Sequence, residues 1–147
     1  MYKRKARVIF LSTGNSCRSQ MAEGYANSLG KDWIEAKSAG IEARGKNPRA
    51  ISTMLDDGVD ISGQVSTDMT AEMMEWADLI ISVCEHAEQN CPVLPPQTRK
   101  KYWSLDDPAK ATGSQEEISK AFEATRDEVK RRVNSMISGM KMLSKSN

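Results

Sequence analysis

The chain has 147 residues, the length of one typical domain, and we expect a single domain over residues 1–147. Hydrophobic residues make up 39% of the chain, charged residues make up 28%, and the formal net charge is +1. This balance argues against binding to nucleic acid or to an anionic membrane surface. No apolar run approaches the roughly 20 residues that span a bilayer, and the apolar stretch after the basic start at 1–7 is too short for a signal peptide. We therefore expect a cytoplasmic protein.

Hydrophobic periodicity and cap residues divide the chain into alternating strands and helices. In chain order, the first half is predicted as strand 6–11, helix 19–29, strand 34–39 and helix 48–57. The second half is predicted as helix 70–77, strand 79–83, a candidate strand at 101–105 and a long helix that begins at the Ser114-x-x-Glu117 capping box. Such alternation indicates an α/β fold, and we predict a three-layer α/β/α sandwich with a four-stranded parallel sheet.

Three polar segments follow predicted strands, at 12–18, 84–91 and 106–108. Ligands of parallel sheets bind beyond the carboxyl ends of the strands, so we expect these segments to meet there. The first is a short loop that precedes a helix, and its N–H groups, the helix N-terminus and Arg18 suit an oxyanion. The alternative is a plain strand–helix connection with a serine N-cap. The predicted binding residues are Thr13, Gly14, Asn15, Ser16, Cys17, Arg18 and Ser19.

These residues carry a resemblance to a known family. The run 14–19 resembles the C-x₅-R-S signature of the low-molecular-weight tyrosine phosphatases. The longer run 12–24 is more similar to the thioredoxin-coupled arsenate reductases built on that phosphatase fold, and 38–43, 60–62 and 106–109 also match them. The resemblance extends over nearly the whole chain. It implies a low-molecular-weight phosphatase-like fold and reduction of arsenate to arsenite, with phosphate or sulfate as mimics of the substrate.

Ser12 stands where this family has its nucleophilic cysteine, six positions before Arg18. A cysteine thiolate in such a loop can have its pKa lowered from about 8.5 into a range of roughly 3.5–7.5. A serine hydroxyl stays protonated there without an adjacent base, and oxygen cannot form the disulfide that the redox cycle needs. We therefore expect oxyanion binding without turnover. Cys17, the inner cysteine of the signature, is expected to pack in the loop rather than attack.

The remaining cysteines, Cys84 and Cys91, lie seven residues apart. Three cysteines make neither a paired disulfide framework nor a four-ligand zinc site, so no metal site is predicted. From the residues alone, the pair is either redox-active or two unrelated buried thiols. The resemblance implies a relay in which Cys84 attacks the loop cysteine and releases arsenite. Cys91 then forms a disulfide with Cys84, thioredoxin reduces it, and segment 84–91 changes from helix-like to looped.

Three further residues, Asp107, Ser19 and His86, each have more than one interpretation, and a cation site is also considered. The sequence around Asp107 is typical of a turn, whereas the resemblance implies a general acid. Ser19 is a helix-start serine, a donor to a thiolate at position 12, or both. His86 is a solvated loop residue or a modulator of Cys84. Some family members bind potassium at residues that match Asn15, Glu23 and Ser38, but Thr67 stands where they have an aspartate; we otherwise expect no cofactor.

Two functions other than arsenate reduction stay open at this point. For all three functions we expect the protein to be a monomer. A tyrosine phosphatase would use the same loop for phosphoryl transfer, but it needs no resolving cysteines. Ala109 and Gln20 also replace the aromatic residue and the proline that phosphatases often have. The third function is an oxyanion-binding pseudo-enzyme in which Ser12 is natural.

Overall fold

The computed structural model describes residues 4–145, so the first three residues of the basic start and the last two residues of the chain lie outside the described residues. A parallel four-stranded sheet has the order β2-β1-β3-β4. Its strands are β1 (Ala6–Ser12), β2 (Ile34–Gly40), β3 (Leu79–Ser82) and β4 (Arg99–Tyr102). The predicted fold class is confirmed.

The fourth strand begins two residues before the predicted segment and ends three residues earlier than it. Every residue of β4 is exposed, because the strand forms one edge of the sheet. The apolar residues that suggested a strand, Trp103 and Leu105, are buried but follow the end of β4. An edge strand rich in Lys and Arg carries no apolar run, which is why the predicted position of this strand was wrong.

Within residues 4–145, five helices and one short 3₁₀ turn connect and cover the strands. The helices are α1 (Arg18–Leu29), α2 (Pro48–Leu55), α3 (Ala71–Trp76), α4 (Glu85–Gln89) and α5 (Gln115–Lys145), and the 3₁₀ turn is Pro108–Lys110. Side-chain caps begin both α2 and α5. At α2, Asn47 accepts the N–H groups of Arg49 and Ala50. At α5, Ser114 and Glu117 exchange the two hydrogen bonds of a capping box.

The sheet is buried on both faces, which gives the three layers. Along β1, Val8 and Phe10 pack on the face covered by α1, α2 and α5, whereas Ile9 and Leu11 pack on the face covered by α3 and α4. This alternation follows from the two-residue period of a strand. Within residues 4–145, no helix combines the length and the apolar composition that crossing a bilayer requires.

Candidate active site

The loop after β1 is held open by hydrogen bonds to its carbonyl oxygens. The carbonyls of Ser12, Thr13, Gly14 and Ser16 each accept a backbone N–H from segment 41–47, at 2.8 to 3.0 Å. The carbonyl of residue 15 accepts the side chain of Gln20 at 3.0 Å. In a trans peptide the next N–H points opposite to the carbonyl, so outward carbonyls turn the loop N–H groups inward. The result is a cradle of N–H groups suited to an oxyanion.

Ser12 lies at the floor of this cradle and is almost fully buried. Its Oγ accepts the N–H of Asn15 at 3.0 Å and lies 2.7 Å from Ser19 Oγ. The Asn15 side-chain amide in turn donates to Ser19 Oγ at 2.9 Å, which leaves the Ser19 hydroxyl able to donate to Ser12. Two donors therefore converge on Ser12 Oγ, which the resemblance in sequence places at the nucleophile's expected position.

Asn15 and Ser19 were predicted among the anion-binding residues, but their side chains are fully buried beneath the loop and do not line the cavity. Asn15 has φ of 49°, in the left-handed region that asparagine tolerates better than most residues. Its side-chain oxygen also accepts the Thr67 N–H at 2.9 Å. These two side chains shape the cradle from below.

Gln20 is a site residue that sequence reasoning missed, since it entered only as a departure from the phosphatase pattern. Its side chain is fully buried and donates to the carbonyls of Asn15 and Val65 at 3.0 and 3.1 Å. Gln64 donates to its side-chain oxygen at 2.8 Å. Gln20 therefore ties the loop to segment 64–67. A polar residue on the apolar side of a helix was the one available signal.

The three predicted segments meet around a cavity of about 810 Å³ above the loop. Arg18 is anchored there, since it donates to the Leu105 carbonyl at 3.0 Å and lies 3.5 Å from the Asp107 carboxylate. Asp107 also accepts the Ala109 N–H at 3.0 Å and caps the 3₁₀ turn. Asp107 is thus a turn residue placed in the cavity beside Arg18. Arg44, Tyr102, Ser104 and Lys110 line the same cavity and were not predicted.

The two relay candidates occupy different positions around α4. Cys84 is buried, lines the cavity and is the N-cap residue of α4, whereas Cys91 follows that helix and does not line the cavity. Both thiols are free and pack with the same hydrophobic cluster. Burial raises the pKa of the Cys91 thiol, and the positive charge of Lys100 opposes that shift. The helix between the cysteines means that a disulfide requires α4 to rearrange.

Cys17 is buried at the start of α1, and burial raises the pKa of its thiol to about 12, with the Asp107 charge acting in the same direction. At pH 8, this thiol is almost entirely protonated. We therefore expect iodoacetamide to label Cys91 in the native protein while Cys17 stays unlabelled, as measured by peptide mass spectrometry. Urea-unfolded protein should be labelled at all three cysteines. Labelling of native Cys17 as fast as Cys91 would contradict this assignment.

The residues suggested for potassium fit such a site only in part. The Ser38 hydroxyl donates to Glu23 at 2.6 Å, and burial raises the pKa of that carboxyl. The side-chain oxygen of Asn15 already accepts the Thr67 N–H, and Asp68 accepts the Ala43 N–H at 2.7 Å. Burial disfavours the charged form of the Glu23 carboxyl, which is the form that would bind a cation. Within residues 4–145, no group of three or more His, Cys, Asp or Glu side chains is arranged to hold a metal ion.

Comparison with known proteins agrees with this geometry. The family model described as low molecular weight phosphotyrosine protein phosphatase matches residues 7–146. The arsenate reductase of Bacillus licheniformis is 47% identical over 88% of this chain and 93% of its own length. The solved structure of an arsenate reductase in the phosphate-binding state is 34% identical, with a TM-score of 0.75 over 92% of this chain and 98% of that one.

A third similar protein carries a serine in its active site. It is a cysteine-to-serine mutant of the YwlE arginine phosphatase with a phosphorylated active-site serine. It is 25% identical to this chain, with a TM-score of 0.75, and the match covers 92% of this chain and 95% of that protein.

The chain belongs to the low-molecular-weight phosphotyrosine protein phosphatase family. Within that family it is an enzyme of the arsenate reductase group, as the sequence predicted.

Proposed function

We propose that this chain captures a tetrahedral oxyanion in the cradle and that arsenate reduction stops at Ser12. The observation that carries this proposal is the surroundings of Ser12 Oγ, which meets the Asn15 N–H at 3.0 Å and the Ser19 hydroxyl at 2.7 Å. Two donors at this position stabilise a thiolate and hold its pKa low. The same two donors do not ionise a serine hydroxyl. Arg18 and the loop N–H groups still bind arsenate, phosphate or sulfate.

Reduction stops because it requires a bond between two sulfur atoms. With cysteine at position 12, arsenic would be bound to sulfur, and Cys84 would attack that sulfur. The sulfur–arsenic electron pair would stay on arsenic, which leaves as arsenite, while the two sulfurs become a disulfide. An oxygen ester at Ser12, of the kind that the phosphorylated serine of the YwlE mutant represents, offers Cys84 no sulfur to attack. The chain then keeps its oxyanion, free or esterified, unreduced.

The positions of the other groups support the roles proposed for them. Arg18 orients the oxyanion, and Asp107, beside it in the cavity, protonates the leaving oxygen. Cys91 attacks Cys84 after α4 opens, and thioredoxin reduces the resulting disulfide. We place the protein in the cytoplasm, where thioredoxin keeps thiols reduced, and we expect it to act as a monomer. No step of this scheme uses a cation.

The coupling to thioredoxin can be tested without changing position 12. Protein oxidised to the Cys84–Cys91 disulfide should consume a single equivalent of NADPH with thioredoxin and thioredoxin reductase, and then stop even when arsenate is added. The absorbance of NADPH measures both events. The Cys91→Ser variant, treated in the same way, is the control and should show no burst. A missing burst would contradict thioredoxin coupling, and sustained arsenate-dependent consumption would contradict arrest at Ser12.

A further inference from the structure

A chain of hydrogen bonds leads from the buried thiol of Cys84 to an exposed imidazole. Thr13 Oγ1 lies 3.3 Å from Cys84 Sγ and 3.1 Å from His86 Nδ1. Cys84 is buried, Thr13 is half-buried and His86 is exposed, so the three groups run from the cavity wall to solvent. The Asn90 N–H and side chain both donate to the His86 carbonyl, which fixes the backbone that carries the imidazole.

The number of hydrogens available to Cys84, Thr13 and His86 sets the direction of the two hydrogen bonds. A threonine hydroxyl has one hydrogen, and a neutral imidazole whose Nδ1 is unprotonated can only accept there. Thr13 then donates to His86 and accepts from the Cys84 thiol. After a proton moves along these hydrogen bonds from Cys84 to His86, the Nδ1–H of His86 donates to Thr13, and Thr13 donates to the sulfur. The same two hydrogen bonds, with their directions reversed, can therefore form with either the thiol or the thiolate of Cys84.

We propose that His86 is a positioning residue that draws the proton from Cys84 through Thr13 when Cys84 attacks. The inference rests on the proposed relay. In the Ser12→Cys variant, where position 12 carries a sulfur, the proton of Cys84 passes to Thr13 Oγ1 as the two sulfurs bond. The Thr13 hydrogen passes to His86 Nδ1 and from there to solvent. No other oxidant or reductant is needed, because arsenic takes up the electron pair of the broken sulfur–arsenic bond.

The other charged groups of the cavity lie apart from this chain of hydrogen bonds. The positively charged groups that share the cavity with His86 are Arg18, Arg44 and Lys110, and the acidic groups are Glu85, Asp106 and Asp107. The Tyr102 phenol also lines the cavity. Among the described residues 4–145, none of these side chains has a hydrogen bond to Thr13 or Cys84. Of the titratable groups that line the cavity, the His86 imidazole is the one linked to the sulfur through the Thr13 hydroxyl.

The test measures the reactivity of Cys84 in this chain, without arsenate or thioredoxin. Alkylation of Cys84 by uncharged iodoacetamide is followed by peptide mass spectrometry between pH 5.5 and 9. Cys91 in the same digest is the internal control, because it lies outside the hydrogen-bond chain. The parent protein should show two ionisation steps in the Cys84 rate. In His86→Gln one step should disappear, and the rate at neutral pH should fall at least about tenfold.

Two threonine variants make a matched pair for the same assay. Thr13→Val removes the hydroxyl with little change of shape and should lower the Cys84 rate as His86→Gln does, whereas Thr13→Ser should keep the parent profile. The double variant His86→Gln with Thr13→Val should be no slower than either single variant, since the two groups act in series.

Three results would overturn the inference. They are an unchanged Cys84 profile in His86→Gln, an equal loss of rate at Cys91, or additive effects in the double variant. The assay does not depend on arsenate turnover, so failure of the proposed reductase function would be seen separately, in the NADPH measurements.

Discussion

The Ser12→Cys variant should reduce arsenate with thioredoxin at least about 1,000-fold faster than the parent chain, as removal of a nucleophile from an assembled active site costs that much or more. The structure supplies the reason, since the Asn15 N–H and the Ser19 hydroxyl already converge on the atom at position 12. A cysteine there becomes a thiolate at neutral pH without any other change in the loop. Arsenite production and NADPH consumption, measured together, give the rate.

Two further variants make this result specific. Ser12→Ala keeps the cradle but has no nucleophile, so it should bind arsenate by titration calorimetry and produce no arsenite. Cys91→Ser in the Ser12→Cys background should release one arsenite per chain and then stop, because the last disulfide cannot form. Hydrolysis of an aryl phosphate without arsenite production by Ser12→Cys would instead indicate the phosphatase. No activity of either kind would indicate an oxyanion-binding protein.

Asn15→Ala should lower the free energy of unfolding by about 2–4 kcal/mol and weaken phosphate binding. The asparagine side chain is fully buried, donates to Ser19 and accepts from the Thr67 N–H, so alanine removes both hydrogen bonds and leaves the Thr67 N–H without this acceptor. Its φ of 49° also places alanine in a strained left-handed conformation. Urea unfolding gives the stability, and calorimetry gives the binding of phosphate.

The Asn15→Gly variant separates the two causes, because glycine loses the same hydrogen bonds but adopts a positive φ without strain. It should therefore be less destabilised than Asn15→Ala and still bind phosphate more weakly than the parent. Equal stability of Asn15→Ala and the parent chain would show that the buried hydrogen bonds beneath the loop contribute nothing to the fold.

Several site features could be predicted because their signals are local. The apolar run of β1, the loop with Gly14 and Arg18, and the helix that follows are contiguous, so their pattern is visible in the sequence. The absence of sulfur at position 12 needs only a count back from Arg18. The position of β4 was less predictable, because an exposed edge strand carries no apolar period.

By itself, the sequence determined the fold class, the family and the presence of two later cysteines. Only the tertiary structure decided how the cradle is held: by segment 41–47 on its carbonyls and by Gln20 and Asn15 from below. It also decided that His86 reaches Cys84 through Thr13, a residue more than 70 positions away along the chain. Hydrogen bonds between such distant segments form only once the sheet has aligned its strand ends, and they leave no periodic pattern in the sequence.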